Sequence, residues 1–273
     1  MSARAPERIT SAANPLIKQM KGLHAKKVRS ESGLFLGEGL RLALEAAELG
    51  QMPEILLFTA EALERPATRG LVQQVSQAGA KCIETTPTLL AAISKRDNPQ
   101  TVVAAYRQAL TPLTDMQGTA LIIALQGVRD PGNLGTIIRT ADAIGAGGVV
   151  LLDQVCDPFA VETVRASMGS LFAVRLAREG FEAFNAWRTK LGLQMIGLSL
   201  QGKIGPEAYD AAHPTVLLMG NEQSGLPPAH EAACDALVKL PMKGRADSLN
   251  LAVATAVIAY DHWRRQGYEG QRG

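Results

Sequence analysis

The chain has 273 residues, a net charge of +2, 47% hydrophobic residues and 20% charged residues. That length holds two compact domains, and the balance is that of a globular protein, not of a disordered or fibrous one. Aromatic residues make up only 4%, which argues against a wide stacking platform for nucleic-acid bases.

The first thirty residues set Arg4, Arg8, Lys18, Lys21, Lys26, Lys27 and Arg29 against Glu7 alone. Such a block suits phosphate contact, and it equally suits a solvated helix face. Residues 14–29 predict one helix opened by Asn14 and Pro15. From 34 to 105, strand-like and helix-like pieces alternate. LFLG, EILLF, KCIET and TVVAAY read as strands; EGLRLALEAAEL, RGLVQQVSQAG and PTLLAAIS read as helices. This is a small α/β domain over 1–106. Turn formers and weak periodicity place a linker at 107–118.

The second domain, 119–273, begins with TALIIALQGV, a nearly continuous apolar run typical of a buried parallel strand. GVVLLD, LFAVRLA, QMIGLSL, TVLLMG and ALVKLP follow, with helices expected at 134–144, 158–168, 181–191, 227–233 and from Ser248 to Arg265. Strands alternating with helices imply a parallel sheet covered on both faces, with ligands outside its carboxyl ends.

Three strand-end loops carry chemistry-bearing residues. In QGVRDPGNLGTIIRTADAIGAGG (126–148), Asn133 reads as a helix N-cap or as a functional group. Arg139 reads as a phosphate ligand or as a solvated helix residue. In TVLLMGNEQSGLPPAH (215–230), Gly220 allows close approach of a ligand to backbone, and Glu222 is a loop tie or a ligand to substrate. In LVKLPMKGRADSLNLAVATAVIAYDHWRRQ (237–266), Ser248 reads as the N-cap of a strongly apolar helix that needs a partner, either the core or another subunit. No GxGxxG, Walker A loop, HExxH pair or GxSxG elbow is present. Cys82, Cys156 and Cys234 are far apart and show no zinc spacing. Their sparse number fits a reducing cytoplasm. No signal peptide is expected, and no apolar run reaches membrane-spanning length.

Taken in order, the three loops resemble the signature of the SpoU/TrmH family of RNA 2′-O-ribose methyltransferases, in the SPOUT superfamily. Asn133 and Arg139 match DPGNLG…IIRTA; Gly220, Asn221 and Glu222 match a GNE strand end; Pro241, Met242, Gly244, Ser248, Leu249 and Asn250 match PM-x-G…SLN. RASMGSLFAV is similar to the family segment between the first two motifs. NPLIKQMKGLHAKK and FLGEGLRLALEAAE resemble the substrate-binding domain often attached to the family. Two positions depart from the pattern: Gln223-Ser224 follow Glu222 where Gly-x is usual, and Asp247 precedes the Ser.

The resemblance implies a deep trefoil knot in the C-terminal domain, a homodimer and S-adenosylmethionine as cofactor. It places Leu198, Gly220, Leu240, Met242 and Leu249 at the cofactor, and Asn133, Arg139, Glu222, Ser248 and Asn250 at the reacting ribose. Family accounts make Arg139 a base. Because arginine stays protonated in proteins, a phosphate grip with electrostatic support of the ribose oxyanion is the milder reading. Lys18, Lys21, Lys26, Lys27 and Arg29 are the expected RNA contacts, with Lys95 and Arg96 as further candidates. Ribosomal RNA is the expected substrate. A tRNA 2′-O-methyltransferase, a base methyltransferase of the same fold and a non-catalytic RNA-binding protein stay open. No metal or membrane role is expected.

Overall fold

A computed structural model describes residues 6–96 and 98–271. The chain divides into two compact units. The first comprises residues up to Gln108 together with Asp157–Phe172; the second comprises Ala109–Cys156 and Ala173 onward. The first division falls at the edge of the expected linker, where a short 3-10 turn spans Leu113–Met116. The second division is not foreshadowed by the sequence. Residues 157–172 read as part of the second domain, yet they pack with the first. The backbone therefore passes between the units three times.

The first unit holds β1 (Glu7–Ile9), α1 (Pro15–Gly22), α2 (Lys26–Ser32), β2 (Leu34–Glu38), α3 (Leu40–Glu48), β3 (Ile55–Thr59), α4 (Pro66–Gln77), β4 (Lys81–Thr85), α5 (Pro87–Ser94) and β5 (Val102–Arg107). Its sheet runs β1-β4-β3-β5-β2. β1, β4 and β3 are mutually parallel, and β5 is antiparallel to both β3 and β2. Ile17, Met20, Leu57, Leu90, Ile93 and Val103 form its core, to which Val161 of the inserted segment adds.

The single helix expected over 14–29 is two. Asn14 caps the first, accepting from Leu16 N–H at 2.8 Å. The chain then turns at Leu23–Ala25. Arg29, on α2, folds back to donate to the carbonyls of Leu23 (2.8 Å) and His24 (2.9 Å). These carbonyls have no helical partners at the break, so the guanidinium takes the place of the missing backbone donors.

The second unit holds β6 (Leu121–Gln126), α6 (Pro131–Ala143), β7 (Gly148–Leu152), β8 (Leu176–Glu179), α8 (Phe181–Lys190), β9 (Gln194–Leu198), β10 (Thr215–Met219), α9 (Pro228–Ala232), β11 (Ala236–Val238) and α10 (Leu251–Arg265). The inserted segment carries α7 (Val161–Ser167). The sheet order is β11-β9-β10-β6-β7-β8, and every pairing is parallel. Ile122, Ala124, Val150, Leu152, Val216 and Leu218 are its fully buried centre. One strand is displaced from expectation. LFAVRLA suggests a strand over 171–177, but Ser170–Phe172 is a 3-10 turn and pairing with β7 begins at Leu176. The apolar residues Leu171 and Phe172 belong to the first unit, where Phe172 lies 4.7 Å from Tyr106 between ring centroids. Among the described residues no helix is long and apolar enough to cross a membrane, and no group of residues is arranged to hold a metal ion.

Candidate active site

β6 and β10 are neighbours at the centre of the second sheet, in register from Thr215↔Leu121 to Met219↔Leu125. Their carboxyl ends therefore release the chain side by side, at the edge where parallel α/β sheets bind ligands. After β6 the helix start is set by Asp130, not Asn133. The Asp130 carboxylate accepts from Asn133 N–H at 2.6 Å, and Pro131 occupies the first turn, a cap worth about 1 kcal/mol. Asn133 is thereby left with a free side chain on the first turn. Its Nδ2 donates to Glu222 (3.2 Å), and its Oδ1 accepts from Nδ2 of Asn250 (2.9 Å).

Asn250, in turn, is the N-cap of α10, accepting from the N–H groups of Ala252 (2.9 Å) and Val253 (3.3 Å). Ser248, the expected cap, instead donates to Asp247 at 3.1 Å. Three side chains thus tie together the segments 126–139, 215–225 and 240–250.

Glu222 anchors this chain of contacts. Besides Asn133, its carboxylate accepts weakly from the backbone N–H groups of Arg129 (3.4 Å) and Asp130 (3.3 Å). Partial burial pushes its carboxyl up. The N–H groups of its own backbone, Asn133, Asp130 and Arg129 outweigh that and hold it below the usual carboxylate range. Asn221 adds a second tie, donating to the carbonyl of Gly127 at 2.7 Å.

The departure at Gln223-Ser224 is accommodated without strain. Asn221 and Gly225 bridge each other at 3.0 Å in both directions, and the Asn221 side chain accepts from the N–H groups of Gln223 and Ser224. Gly225 carries the positive φ of 66°, and Gln223 does not. Gly220 is constrained by this turn, since a Cβ there would overlap the backbone of Gly225 and Leu226.

Beside these loops lies a cleft of about 460 Å³. Leu198, Gly220, Leu240, Met242 and Leu249, the five residues expected at the cofactor, all line it, as do Glu222 and Ser248. Sequence reasoning missed Ser199 and Glu231 in the same wall. They are 32 residues apart, and Ser199 donates to Glu231 at 2.5 Å. No sequence pattern links them. The lining contains three carboxylates (Glu222, Glu231 and Asp247) and no lysine, arginine or histidine.

Arg139 stands apart. It is exposed on α6, makes no hydrogen bond or ion pair among the described residues and does not line the cleft. The expected reach back to the strand-end loop is not made.

The basic helices divide likewise. Lys18, Lys26 and Lys27 are exposed and Lys21 half-buried. Arg29 is only 4% exposed; besides the two carbonyls, it holds Asp157 through Nε (3.0 Å) and Nη2 (2.7 Å). As an RNA contact Arg29 is therefore corrected to a structural residue, because its donors are already taken and it does not reach the surface. Lys95 caps α5 in a left-handed conformation and is exposed, and Arg96 lies 3.4 Å from Glu38. Arg4 of the basic block lies outside the described residues.

A parallel α/β unit whose strand-end loops are tied around a cleft, with a smaller mixed-sheet unit before it, defines a two-part ligand-binding enzyme fold. Residues 120–260 match the model of the SpoU rRNA Methylase family, and residues 14–104 match that of the MRM3-like substrate binding domain. The chain belongs to the SpoU rRNA methylase family.

It is 33% identical over 255 residues to the 23S rRNA (guanosine(2553)-2′-O)-methyltransferase RlmP of Bacillus subtilis, covering 93% of this chain and 98% of that one. It is 34% identical over 277 residues to the 23S rRNA (uridine(2479)-2′-O)-methyltransferase of Streptomyces viridochromogenes, covering 96% and 93%. A crystal structure of an AdoMet-bound rRNA methyltransferase from Sinorhizobium meliloti superposes with a TM-score of 0.89 at 41% identity, over 95% of this chain and 98% of that one.

The cleft fits such a cofactor by its own chemistry. Its volume suits a ligand of that size, leucines offer apolar walls for an adenine, and carboxylates without a competing base suit a ligand with cationic sulfonium and ammonium groups.

Proposed function

We propose that this chain methylates a ribose 2′-hydroxyl of ribosomal RNA, using S-adenosylmethionine held in the cleft of the second unit. The observation that carries this reading is the Glu222–Asn133–Asn250 chain of hydrogen bonds, which fixes three separate loops at the mouth of a cationophilic cleft. Leu198, Gly220, Leu240, Met242 and Leu249 would hold the cofactor, whose contribution is an electrophilic methyl on a sulfonium. The protein's residues supply position and charge.

Asn133 and Asn250 hold the cleft rim, and through it the ribose, in line. Glu222 stays ionised and serves as their anchor. Its carboxylate is occupied by N–H donors, which makes it a positioning residue. Ser248, exposed and bonded to Asp247 alone among the described residues, would meet the hydroxyl. Arg139 grips a neighbouring phosphate and favours the oxyanion that forms as the hydroxyl loses its proton. Having no partner among the described residues, it has its donors open to RNA.

The chain works as a homodimer in this proposal. Val253, Val257 and Tyr260 are each 42–48% exposed. They form one apolar stripe at i, i+4 and i+7, beside the face of α10 that Ala254, Ile258 and Ala259 bury. A trefoil knot is likewise proposed. In its favour, segment 240–250 is held to the loop after β6 through Asn250 and Asn133, and α10 returns from the edge strand β11 to pack on α6. The boundaries of the substrate domain near 106 and of the methyltransferase domain near 119, and a cytoplasmic location, complete the reading.

The two relatives named for guanosine and uridine targets are equally similar to this chain, so resemblance does not fix the base. Incubation of 23S rRNA and, in parallel, of total tRNA with the protein and methyl-labelled S-adenosylmethionine, then nuclease digestion and mass spectrometry, tests the assignment. A label on ribose supports it. A label on a base, or on tRNA alone, overturns it.

A further inference from the structure

The first unit contains a second recess, of about 230 Å³, at the junction of β2, α3, the end of α5 and the inserted helix α7. Its floor is aliphatic, with Leu36, Leu42, Val161 and Val164, and Met168 stands at its edge. Met168 is 54% exposed and adopts a left-handed conformation at the end of α7, so an unbranched thioether is held out toward solvent over an apolar hollow.

Around the floor are three guanidiniums, of Arg41, Arg96 and Arg165, against two carboxylates, of Glu38 and Glu45. The Glu38 side chain is 3% exposed, and it takes Arg165 in a forked bond (2.8 and 3.1 Å from Nη2, 3.2 Å from Nε) and Arg96 at 3.4 Å. Arg165 also donates to the carbonyl of Ser94. Arg41 bonds Glu45 through Nε alone, at 2.8 Å. The terminal nitrogens of Arg41 and Arg96 and Nη1 of Arg165 have no hydrogen-bond partner among the described residues.

This arrangement resembles a binding site more than a surface ion pair. Glu38 fixes the Arg165 guanidinium and pairs with Arg96 through Nε, and Glu45 holds Arg41 through Nε, so part of their side-chain entropy is already lost before the outer N–H groups meet an anion. Rigid forks of N–H donors recognise phosphate oxygens. An aliphatic floor with a polarizable methionine at its rim accepts the flat face of a heterocycle. Sequence-tolerant recognition of single-stranded RNA combines these two features, backbone charge and a surface for an unstacked base.

We propose that this recess takes one unpaired nucleotide of the substrate RNA, its base over Leu42, Val161 and Met168 and its phosphate on Arg41 and Arg96. The inference rests on the reading of the chain as an RNA methyltransferase. It moves the main RNA contact of the first unit away from the lysines of α1 and α2.

The test uses the full-length protein and a fluorescein-labelled, mixed-sequence single-stranded RNA of ten nucleotides. The variant is Arg41→Gln/Arg96→Gln, which spares Arg165 and the core. Circular dichroism and the thermal midpoint verify its fold. Binding should weaken about tenfold, and the slope of log affinity against log salt should fall by about 0.7 for each phosphate no longer neutralised. In the same assay, replacing Lys18, Lys26 and Lys27 by Gln should matter less. With 4-thiouridine in the oligonucleotide, photo-crosslinks should map to 161–168. Unchanged affinity in the arginine variant, or a wild-type protein that does not bind the oligonucleotide, overturns the proposal. The assay needs no cofactor or methyl transfer. Binding that depends on the arginines in a protein that methylates no RNA would keep the recess and discard the enzymatic reading.

Discussion

The cofactor cleft of the second unit and the recess of the first are opposite in character. The cleft of the second unit is lined by Glu222, Glu231 and Asp247 without a basic residue, and the recess of the first by Arg41, Arg96 and Arg165 around a buried glutamate. Both have apolar surface, so charge is what separates them. An acidic cleft attracts a cationic donor, whereas it repels the phosphates of an acceptor strand. The positive charge needed near the reacting ribose therefore has to come from outside the cleft wall. Under the proposed reading it comes from Arg139, exposed on α6 and without a partner among the described residues.

The largest effect expected from that division is at Arg139. Arg139→Ala should lower kcat/KM for RNA by about 10²- to 10³-fold, with S-adenosylmethionine affinity unchanged by calorimetry. Arg139→Lys should recover part of the rate and leave the pH–rate profile where it was. A basic limb that moves with the lysine would show that the residue carries a proton, and the contrast between a charge-supplying helix and an acidic cleft would have to be redrawn.

Asn133→Ala comes next. It unlinks Glu222 from Asn250, and steady-state methylation should show kcat down about a hundredfold, with a smaller change in KM for the cofactor. Third, a charge on the exposed stripe of α10, Val257→Asp, should convert a dimer to monomers in light scattering while leaving RNA binding by the first unit intact.

The smallest effect is on acid stability. Because its N–H partners hold Glu222 below the ordinary carboxyl range, its ionised form stabilises the fold. That contribution is complete above the unfolded value of about 4.3 and is lost as pH falls through the lower folded value. The thermal midpoint of Glu222→Gln should start lower at pH 7 and decline less between pH 6 and pH 3 than that of wild type.

What the sequence made legible follows from how each feature is encoded. Continuous apolar runs announced β6, β7, β9 and β10, since strands buried on both faces can carry little else. The ordered DPGNLG, GNE and SLN motifs marked three loops of the site, whereas Ser199, in the loop after β9, and Glu231 carried no signal. Features decided by tertiary contact were hidden. β1 is three residues long and reads Glu-Arg-Ile; only its pairing with β4 makes it a strand. Residues 157–172 look like part of the second domain, and Arg29–Asp157 and Arg165–Glu38 tie them to the first. Capping is ambiguous at both helices because each has two capable side chains near its start. Asp130 and Asn250 take the role, so Asn133 turns to Glu222 and Asn250, and Ser248 to Asp247.

Calorimetric titration of S-adenosylmethionine shows whether the acidic cleft holds the methyl donor. Leu249 is 40% exposed, so Leu249→Arg should fold while bringing a cation into the lining. Wild type should bind one cofactor per chain, and Leu249→Arg should show no measurable heat of binding. Equal affinity in both proteins would place the donor elsewhere and contradict the account.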